Sequence, residues 1–376
     1  MRILFINSIR MYGGGEVWMI TAAKELVRRG HELTIVCRPD AAMRPYAEAS
    51  DARVAPMTIR GDFYPGTILR TRQLLQEYNI DIILTNMDKE LRFAALAARL
   101  CHRPPVIARK GIDHPLKNKL HYRWTYNRLA TAVIANSQAT KQTLLNSAPW
   151  LDGDRVHVIY NGIDPELYAP ERTKNIRSEL GMPDDAPVIG FVGRLNVQKG
   201  IEYLLEGFRK AIEQIPTMHL LLVGEGNLHE DVVAFAEKHN LKDRIHPVGF
   251  RDDIPNVMRT IDLCVLPSLW EGFGIVLIEA MAAGKPCITT RISSMPEIVR
   301  DGKSGLVVPP RDPDALAVAI RTIMSDNELA NQMGETGRQD VLEKYTISRM
   351  IEQYELIFQR YVSGKRMEHG LNGLKE

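Results

Sequence analysis

At 376 residues, 45% hydrophobic and 25% charged, the chain has the make-up of a globular protein with room for two domains of about 150–200 residues each. No run approaches the ~18 apolar residues of a membrane helix, and residues 3–6 are too short for a secretion-signal core before Arg10, so a cytoplasmic chain is expected. The net charge of +2 hides an asymmetry: residues 1–160 carry 23 Lys+Arg against 14 Asp+Glu, the rest 25 against 32, which gives the first half a surface suited to an anionic membrane, nucleic acid or a phosphorylated acceptor.

Short apolar runs alternate with amphipathic stretches from the N-terminus. A strand at 2–6 is followed by the Gly13-Gly14-Gly15 loop and a helix over 16–29, with Gly30 as its stop. Further strands are predicted at 32–37, 81–85, 105–109, 131–135 and 155–159, mostly separated by enough chain for a crossover helix, which implies a parallel sheet with helices on its faces. The turn at Asn161-Gly162-Ile163-Asp164-Pro165 and the Gly/Pro/Asp-rich stretch at 181–187 mark a linker, and the boundary is set at 168/169. The alternation then resumes, with strands at 188–192, 218–223, 244–248, 263–267, 287–290 and 305–308 and a helix at 201–212, a second doubly wound domain over 169–347. An amphipathic helix is predicted at 348–361, with a disordered polar tail after Ser363. Cys37, Cys101, Cys264 and Cys287 show no CxxC spacing and read as buried thiols.

The chemistry concentrates in two strand-to-helix turns of the second half. In the run from Pro267 to Gly284 a loop carries Glu271, then Gly272-Phe273-Gly274 turns the chain into a helix. Its first amides, near Gly274 and Ile275, form an anion site worth up to ~2 kcal/mol. Glu271 before that helix and Glu279 within it are placed to hold hydroxyl groups on either side of a bound diphosphate. The other turn, Gly193-Arg194-Leu195-Asn196-Val197-Gln198-Lys199-Gly200, brings two cations, Arg194 and Lys199, to the same sheet edge. Charge-assisted bonds to phosphate contribute roughly 1.5–3 kcal/mol each, enough to neutralise a diphosphate leaving group without a metal.

Taken singly these residues have ordinary explanations: Glu271 as a helix cap, Glu279 as a solvated helix residue, Arg194 and Lys199 as surface charges. The Gly224-x-Gly226 pair has His229 where a dinucleotide fingerprint needs a third glycine, which argues against an oxidoreductase. Asp152-Gly153-Asp154 reads as a polar turn rather than a metal site, and no HExxH or GxSxG spacing is present. Residues 99–128 hold eight Lys+Arg against Asp113 alone, interleaved with Tyr122, Trp124 and Tyr126, which fits either a solvated face or a surface for anionic headgroups.

The order Gly13-Gly14-Gly15, Asn161-Gly162-Ile163-Asp164, Gly193-Arg194-Leu195 with Lys199-Gly200, Val223-Gly224-Glu225-Gly226, Gly249-Phe250 and Glu271-x7-Glu279 resembles the family 4 (group 1) retaining glycosyltransferases over nearly the whole chain. The resemblance implies the GT-B fold: two Rossmann-like α/β domains facing a cleft, with the C-terminal helix crossing back to the first. It implies a donor site in the second domain, where Arg194 and Lys199 hold the diphosphate, Glu271 with the amides of Gly272, Phe273 and Gly274 holds the transferred sugar, Ile275 opens the helix, and Glu279 holds the ribose. Gly224, Phe250 and Arg251 would lie near the nucleotide, and Gly14 and Gly15 near the donor from the first domain. Relatives often carry a histidine after the strand at 105–109. This chain has Arg109-Lys110-Gly111 there and His114 slightly later, so Arg109, Lys110 and His114 are the acceptor-side candidates.

The implied reaction is transfer of a hexose-type sugar from a nucleotide donor, UDP-linked by preference, to a glycan or glycolipid. The expected setting is lipopolysaccharide or other cell-surface polysaccharide synthesis, peripherally on the membrane, without cofactor, metal or nucleic acid. A catalytically silent sugar-nucleotide binder and a nucleotide-sugar epimerase on the same fold stay open, and dependence of nucleotide release on added acceptor separates them from a transferase.

Overall fold

The computed structural model describes residues 1–372 and divides the chain into two compact units, one formed by 1–161 and the chain from 347 onward, the other by 162–346. The boundary therefore falls earlier than the 168/169 read from the sequence. The reason is local: Ile163 pairs with Thr346, and the hydroxyl of Tyr168 donates to Glu279, so the segment after Asn161 is held by the second unit.

The first unit is a seven-stranded parallel sheet, built from β1 (Arg2–Asn7), β2 (Glu32–Cys37), β3 (Arg53–Pro56), β4 (Ile82–Thr85), β5 (Val106–Lys110), β6 (Ala132–Ala135) and β7 (Val156–Val158) in the order β3-β2-β1-β4-β5-β6-β7. Strand β3 is absent from the sequence reading because it is a short, half-exposed edge strand ending in Pro56, with no apolar run to announce it. Alternation decides the packing. Leu4 and Ile6 join the core on one face of the sheet, Ile3 and Phe5 that on the other, which is why β1 reads as a continuous apolar run. Helices α1 (Gly14–Arg28), α2 (Asp88–Arg99) and the single turn α3 (Leu120–Trp124) follow β1, β4 and β5.

The second unit repeats the plan with β8 (Val188–Val192), β9 (His219–Val223), β10 (Ile245–Gly249), β11 (Leu263–Leu266), β12 (Cys287–Thr290) and β13 (Gly305–Val308), ordered β10-β9-β8-β11-β12-β13. Helix α4 (Ile201–Ile212) follows β8, and α5 (Ile275–Ala282) follows β11. Both sheets reverse direction of growth beside their first strand, between β1 and β4 and between β8 and β11. At such a switch point the connections leave to opposite faces and open a crevice at the C-terminal ends of the strands.

The last helix, α6 (Ile347–Asn372), packs on the first unit. Met350, Ile351, Tyr354 and Phe358 enter the core beside Phe5 and Trp18, and the Trp18 and Tyr354 rings lie 5.5 Å apart. Glu355 takes Arg29 at 3.0 Å and His31 at 2.7 Å. The helix extends past Tyr361 to Asn372, where the sequence reading ended it and began a disordered tail; the end of that predicted tail, 373–376, lies outside the described residues. Cys37, Cys264 and Cys287 are buried free thiols and Cys101 is half-buried. No described helix is long and apolar enough to cross a membrane.

Candidate active site

Three loops meet at the C-terminal edge of the second sheet. The one after β8 is tied to the one after β9 by Gly193 N–H to Val223 O at 2.9 Å and Leu195 N–H to Glu225 O at 2.9 Å. It is tied to the one after β11 by Leu269 N–H to Gln198 O at 2.8 Å and Gln198 Nε2 to Trp270 O at 3.1 Å. The approach is so close that a Cβ on Gly224, whose φ is +133°, would lie 2.1 Å from Gly193 O, and one on Gly226 would lie 2.1 Å from Leu195 O. The glycine pair that superficially suggested a dinucleotide fingerprint therefore exists to let two loop backbones touch.

On this base the predicted cations and carboxylate converge. Lys199, at the end of a one-turn 3-10 segment capped by Asn196, forms an ion pair with Glu271 from the other side of the switch point. The side chains are only 14% and 11% exposed, so the pair sits in a poorly screened place. Ser268 Oγ donates to the same carboxylate at 3.3 Å and the amide of Gly272 at 3.0 Å. Arg194 stands exposed on the same loop, its guanidinium reaching Gln198 Oε1 at 3.5 Å.

Helix α5 begins one step further on, at Ile275, with Gly274 as its N-cap in the left-handed region (φ +82°) and no side chain capping it. The first-turn amides lack an acceptor four residues back within the helix, Leu277 N–H turning to Gly274 O at 3.0 Å instead, and they carry the positive end of its dipole. Phe273 is buried, its carbonyl accepting from Ser294 Oγ at 3.1 Å. Glu279, one turn into α5, accepts the Tyr168 hydroxyl at 2.9 Å; burial pushes its carboxyl above the usual range while that bond opposes the shift. The Tyr168 phenol is raised by burial and by the same carboxylate. Phe250, after β10, is 74% exposed. Asp253 and Glu179 hold Arg251 at 2.7 and 2.8 Å, so its charge is already matched.

In the first unit, Gly14 and Gly15 open α1 at the exposed end of the loop after β1. Glu16, next in the chain, reaches back to the amide of Gly13 at 3.1 Å and accepts from Asn7 at 2.8 Å, a reciprocal arrangement that the acid three residues past a helix cap signals in the sequence. Sequence reading missed Glu90. One of its oxygens accepts from the amide and hydroxyl of Ser8, both at 2.6 Å, and the other from the amides of Asn86 and Met87 at 2.8 and 2.9 Å. It pins the loop after β1 to the loop after β4 at the switch point of this sheet. Burial pushes its carboxyl up to about 7 against these four bonds.

Of the acceptor-side candidates, Arg109 is the buried one. It is 4% exposed, stacks on Trp18 at 3.6 Å and donates to Asn161 at 3.0 Å and Asn86 at 3.3 Å, so it organises the interior of the unit rather than facing solvent. Burial lowers its pKa, and no ion pair with it is present among the described residues. Lys110 is paired with Asp88, which also accepts the Tyr126 hydroxyl, and His114 is exposed. Asp152 caps its own turn, accepting from the Asp154 amide at 3.0 Å.

The sequence model "Glycosyl transferases group 1" matches residues 172–340, and the model "Glycosyltransferase Family 4" matches 12–167. The chain belongs to the family 4, group 1 glycosyltransferases. Its two Rossmann-like units are the halves of the GT-B fold, and the solved structure of Anabaena Alr3699/HepE in complex with UDP matches it with a TM-score of 0.85 at 25% identity, over 96% of this chain and 100% of that one. Among family members with sequence similarity, the Methanocaldococcus jannaschii uncharacterized glycosyltransferase MJ1607 is 31% identical over 240 residues, 62% of this chain and 60% of that protein. The Escherichia coli UDP-Gal:alpha-D-GlcNAc-diphosphoundecaprenol alpha-1,3-galactosyltransferase is 28% identical over 311 residues, 78% of each chain. The match thus spans less than two thirds of the first relative's length and more than two thirds of the second's.

Proposed function

We propose that this glycosyltransferase moves a hexose-type sugar from a nucleoside diphosphate donor, a UDP-sugar by preference, onto a glycan or glycolipid acceptor at the cytoplasmic face of the membrane, with retention at the anomeric carbon. The observation that carries the reading is the meeting of Lys199, Arg194 and Glu271 beside the uncapped start of α5 at the switch point of the second sheet. Two cations and a helix N-terminus fit a diphosphate. They also supply the charge that a divalent metal brings elsewhere, so turnover should survive a chelator. Phe250, exposed after β10, suits the base, and Glu279, held by Tyr168, suits a ribose hydroxyl. The UDP preference draws on the UDP complex of the Anabaena protein and the UDP-Gal donor of the Escherichia coli relative. The latter's lipid-diphosphate acceptor agrees with synthesis of a cell-surface polysaccharide or lipopolysaccharide.

In the proposed step the bond from the anomeric carbon to the diphosphate oxygen breaks as the acceptor hydroxyl oxygen bonds to the same face of that carbon. The acceptor proton passes to the departing diphosphate, whose negative charge Arg194 and Lys199 stabilise as it grows. Thermal-shift titration with UDP, GDP, ADP and their sugar conjugates tests the donor. A ligand at 100 times its Kd stabilises the fold by about 2.7 kcal/mol. Stabilisation by uridine compounds, and nucleotide release that requires acceptor and yields the donor's anomer by NMR, are expected. Folded protein that responds to no nucleotide would remove the reading, and release without acceptor would favour an epimerase.

A further inference from the structure

The connection between β5 and β6 presents apolar and basic groups together. Leu120 is 83% exposed, Ile112 59% and Trp124 39%, and α3, which carries Leu120 and Trp124, buries no residue. Four positions apart on one helical turn, Leu120 and Trp124 share a face. Around them Lys117, Lys119, Arg123 and Arg128 are all exposed. The ion pairs of the neighbourhood run between other groups, Lys110 with Asp88 and Arg92 with Asp62, and these four cations take part in none among the described residues. The Arg123 guanidinium donates to the neutral Asn118 side chain, at 3.0 and 3.1 Å, and to no carboxylate among the described residues. The one acid of the segment, Asp113, precedes the cluster.

Single exposed leucines are ordinary, and a solvated basic face normally carries compensating acids. Here three large apolar side chains stand among unmatched cations on a segment fixed from below. Leu116 is buried, with its amide bonded to Ser147 at 2.9 Å, and Trp150 donates to Asn118 at 3.0 Å. A firm base, protruding apolar tips and a ring of lysine and arginine are the features of a surface that seats in lipid headgroups, with the tips entering the acyl boundary and the cations meeting anionic phosphates.

We infer that residues 112–128 form a docking surface for anionic lipid, centred on Leu120 and Trp124 and ringed by Lys117, Lys119, Arg123 and Arg128. The surface works independently of sugar transfer, so its test needs no turnover. Flotation of the full chain is measured with vesicles of phosphatidylcholine containing phosphatidylglycerol and with phosphatidylcholine alone. Binding to the anionic vesicles that weakens with salt is expected. Each basic residue near such a surface accounts for about five-fold in partition, so Lys117→Glu with Lys119→Glu lowers it at least ~25-fold. Leu120→Ser with Trp124→Ser, at constant charge, lowers it about ten-fold or more. All four residues are exposed, so circular dichroism and thermal midpoint should match wild type; the lysine pair lies outside the helix and serves alone if the other variant misfolds. Equal binding to both vesicle types, or unchanged binding by both variants, overturns the inference. So does a concentration-dependent dimer in sedimentation that Leu120→Ser with Trp124→Ser dissociates, because the patch then faces a second copy.

Discussion

Replacing Lys199 with Ala separates two roles for its ammonium. In the folded protein Lys199 is the counter-ion of a Glu271 carboxylate whose side chain is 11% exposed, and after truncation Ser268 Oγ at 3.3 Å and the Gly272 amide at 3.0 Å still donate to it. Breaking a buried ion pair from one side costs about 3–5 kcal/mol. The two surviving donors and the residual exposure argue for the lower end, about 3 kcal/mol. At about 2–4 °C per kcal/mol for a unit of this size, the thermal midpoint should fall by roughly 6–12 °C. Lys199→Ala combined with Glu271→Gln removes the stranded charge and should recover most of that loss. Turnover should behave differently: a donor aimed at the charge growing on the leaving diphosphate is worth about 10²–10³ in kcat, and neutralising Glu271 cannot restore it. The assay pairs urea unfolding with acceptor-dependent nucleotide release for both variants. A double variant that regains wild-type turnover would refute the reasoning, because Lys199 would then act only as a counter-ion. So would Lys199→Ala of unchanged stability.

Other perturbations test the scaffold. His219 is 3% exposed and accepts from Arg244 at 2.8 Å through Nε2, so its proton sits on Nδ1 and goes to His246 Nε2 at 2.8 Å. Burial, with the neighbouring histidine and arginine, lowers its pKa to about 4. The unfolded chain binds the extra proton first, so this stability is present above about pH 6.5 and lost toward pH 4, up to about 3 kcal/mol. The stability difference between wild type and His219→Gln should shrink by that amount over the window, and parallel curves by urea unfolding would count against it. Gly224→Ala places a Cβ 2.1 Å from Gly193 O at a φ of +133°; it should cost about 2–5 kcal/mol and weaken nucleotide binding as the loop after β8 moves, both read by titration of the variant. Glu90→Gln turns one acceptor oxygen into a donor facing two donors, so two of its four bonds are lost. Stability should drop by about 2–4 kcal/mol, and hydrogen exchange should rise at the Ser8 amide or at those of Asn86 and Met87. Wild-type protection at all three would contradict the clamp.

Much of the architecture was already written in local pattern. Strand β1 reads as apolar in four consecutive residues because both faces of a parallel sheet are buried, and the turns carrying Arg194, Lys199, Glu271 and Gly274 declare themselves by glycine and charge at strand ends. Such signals span a few residues, so they survive without any fold. The edge strand β3 and the segment from Gly162 to Tyr168 carry none: the first is half-exposed, and the second belongs to the second unit only because Thr346 and Glu279, far along the chain, hold it.

Pairing was a matter for the tertiary structure alone. That Lys199 neutralises Glu271, that Tyr168 bonds Glu279, and that Glu90 collects four donors from two loops depends on strand order, which brings residues 72, 111 and 82 positions apart within hydrogen-bond reach. Arg109 shows the same limit from the other side. Its position at the end of β5 marks it as a site residue, yet its depth beneath Trp18 and its bond to Asn161 follow from how α1 and the end of the unit close over it. Residue type and spacing determine which chemistry is available at a strand end. Burial and partner determine whether a charge there is free to meet a substrate, because both depend on chain that is distant in sequence.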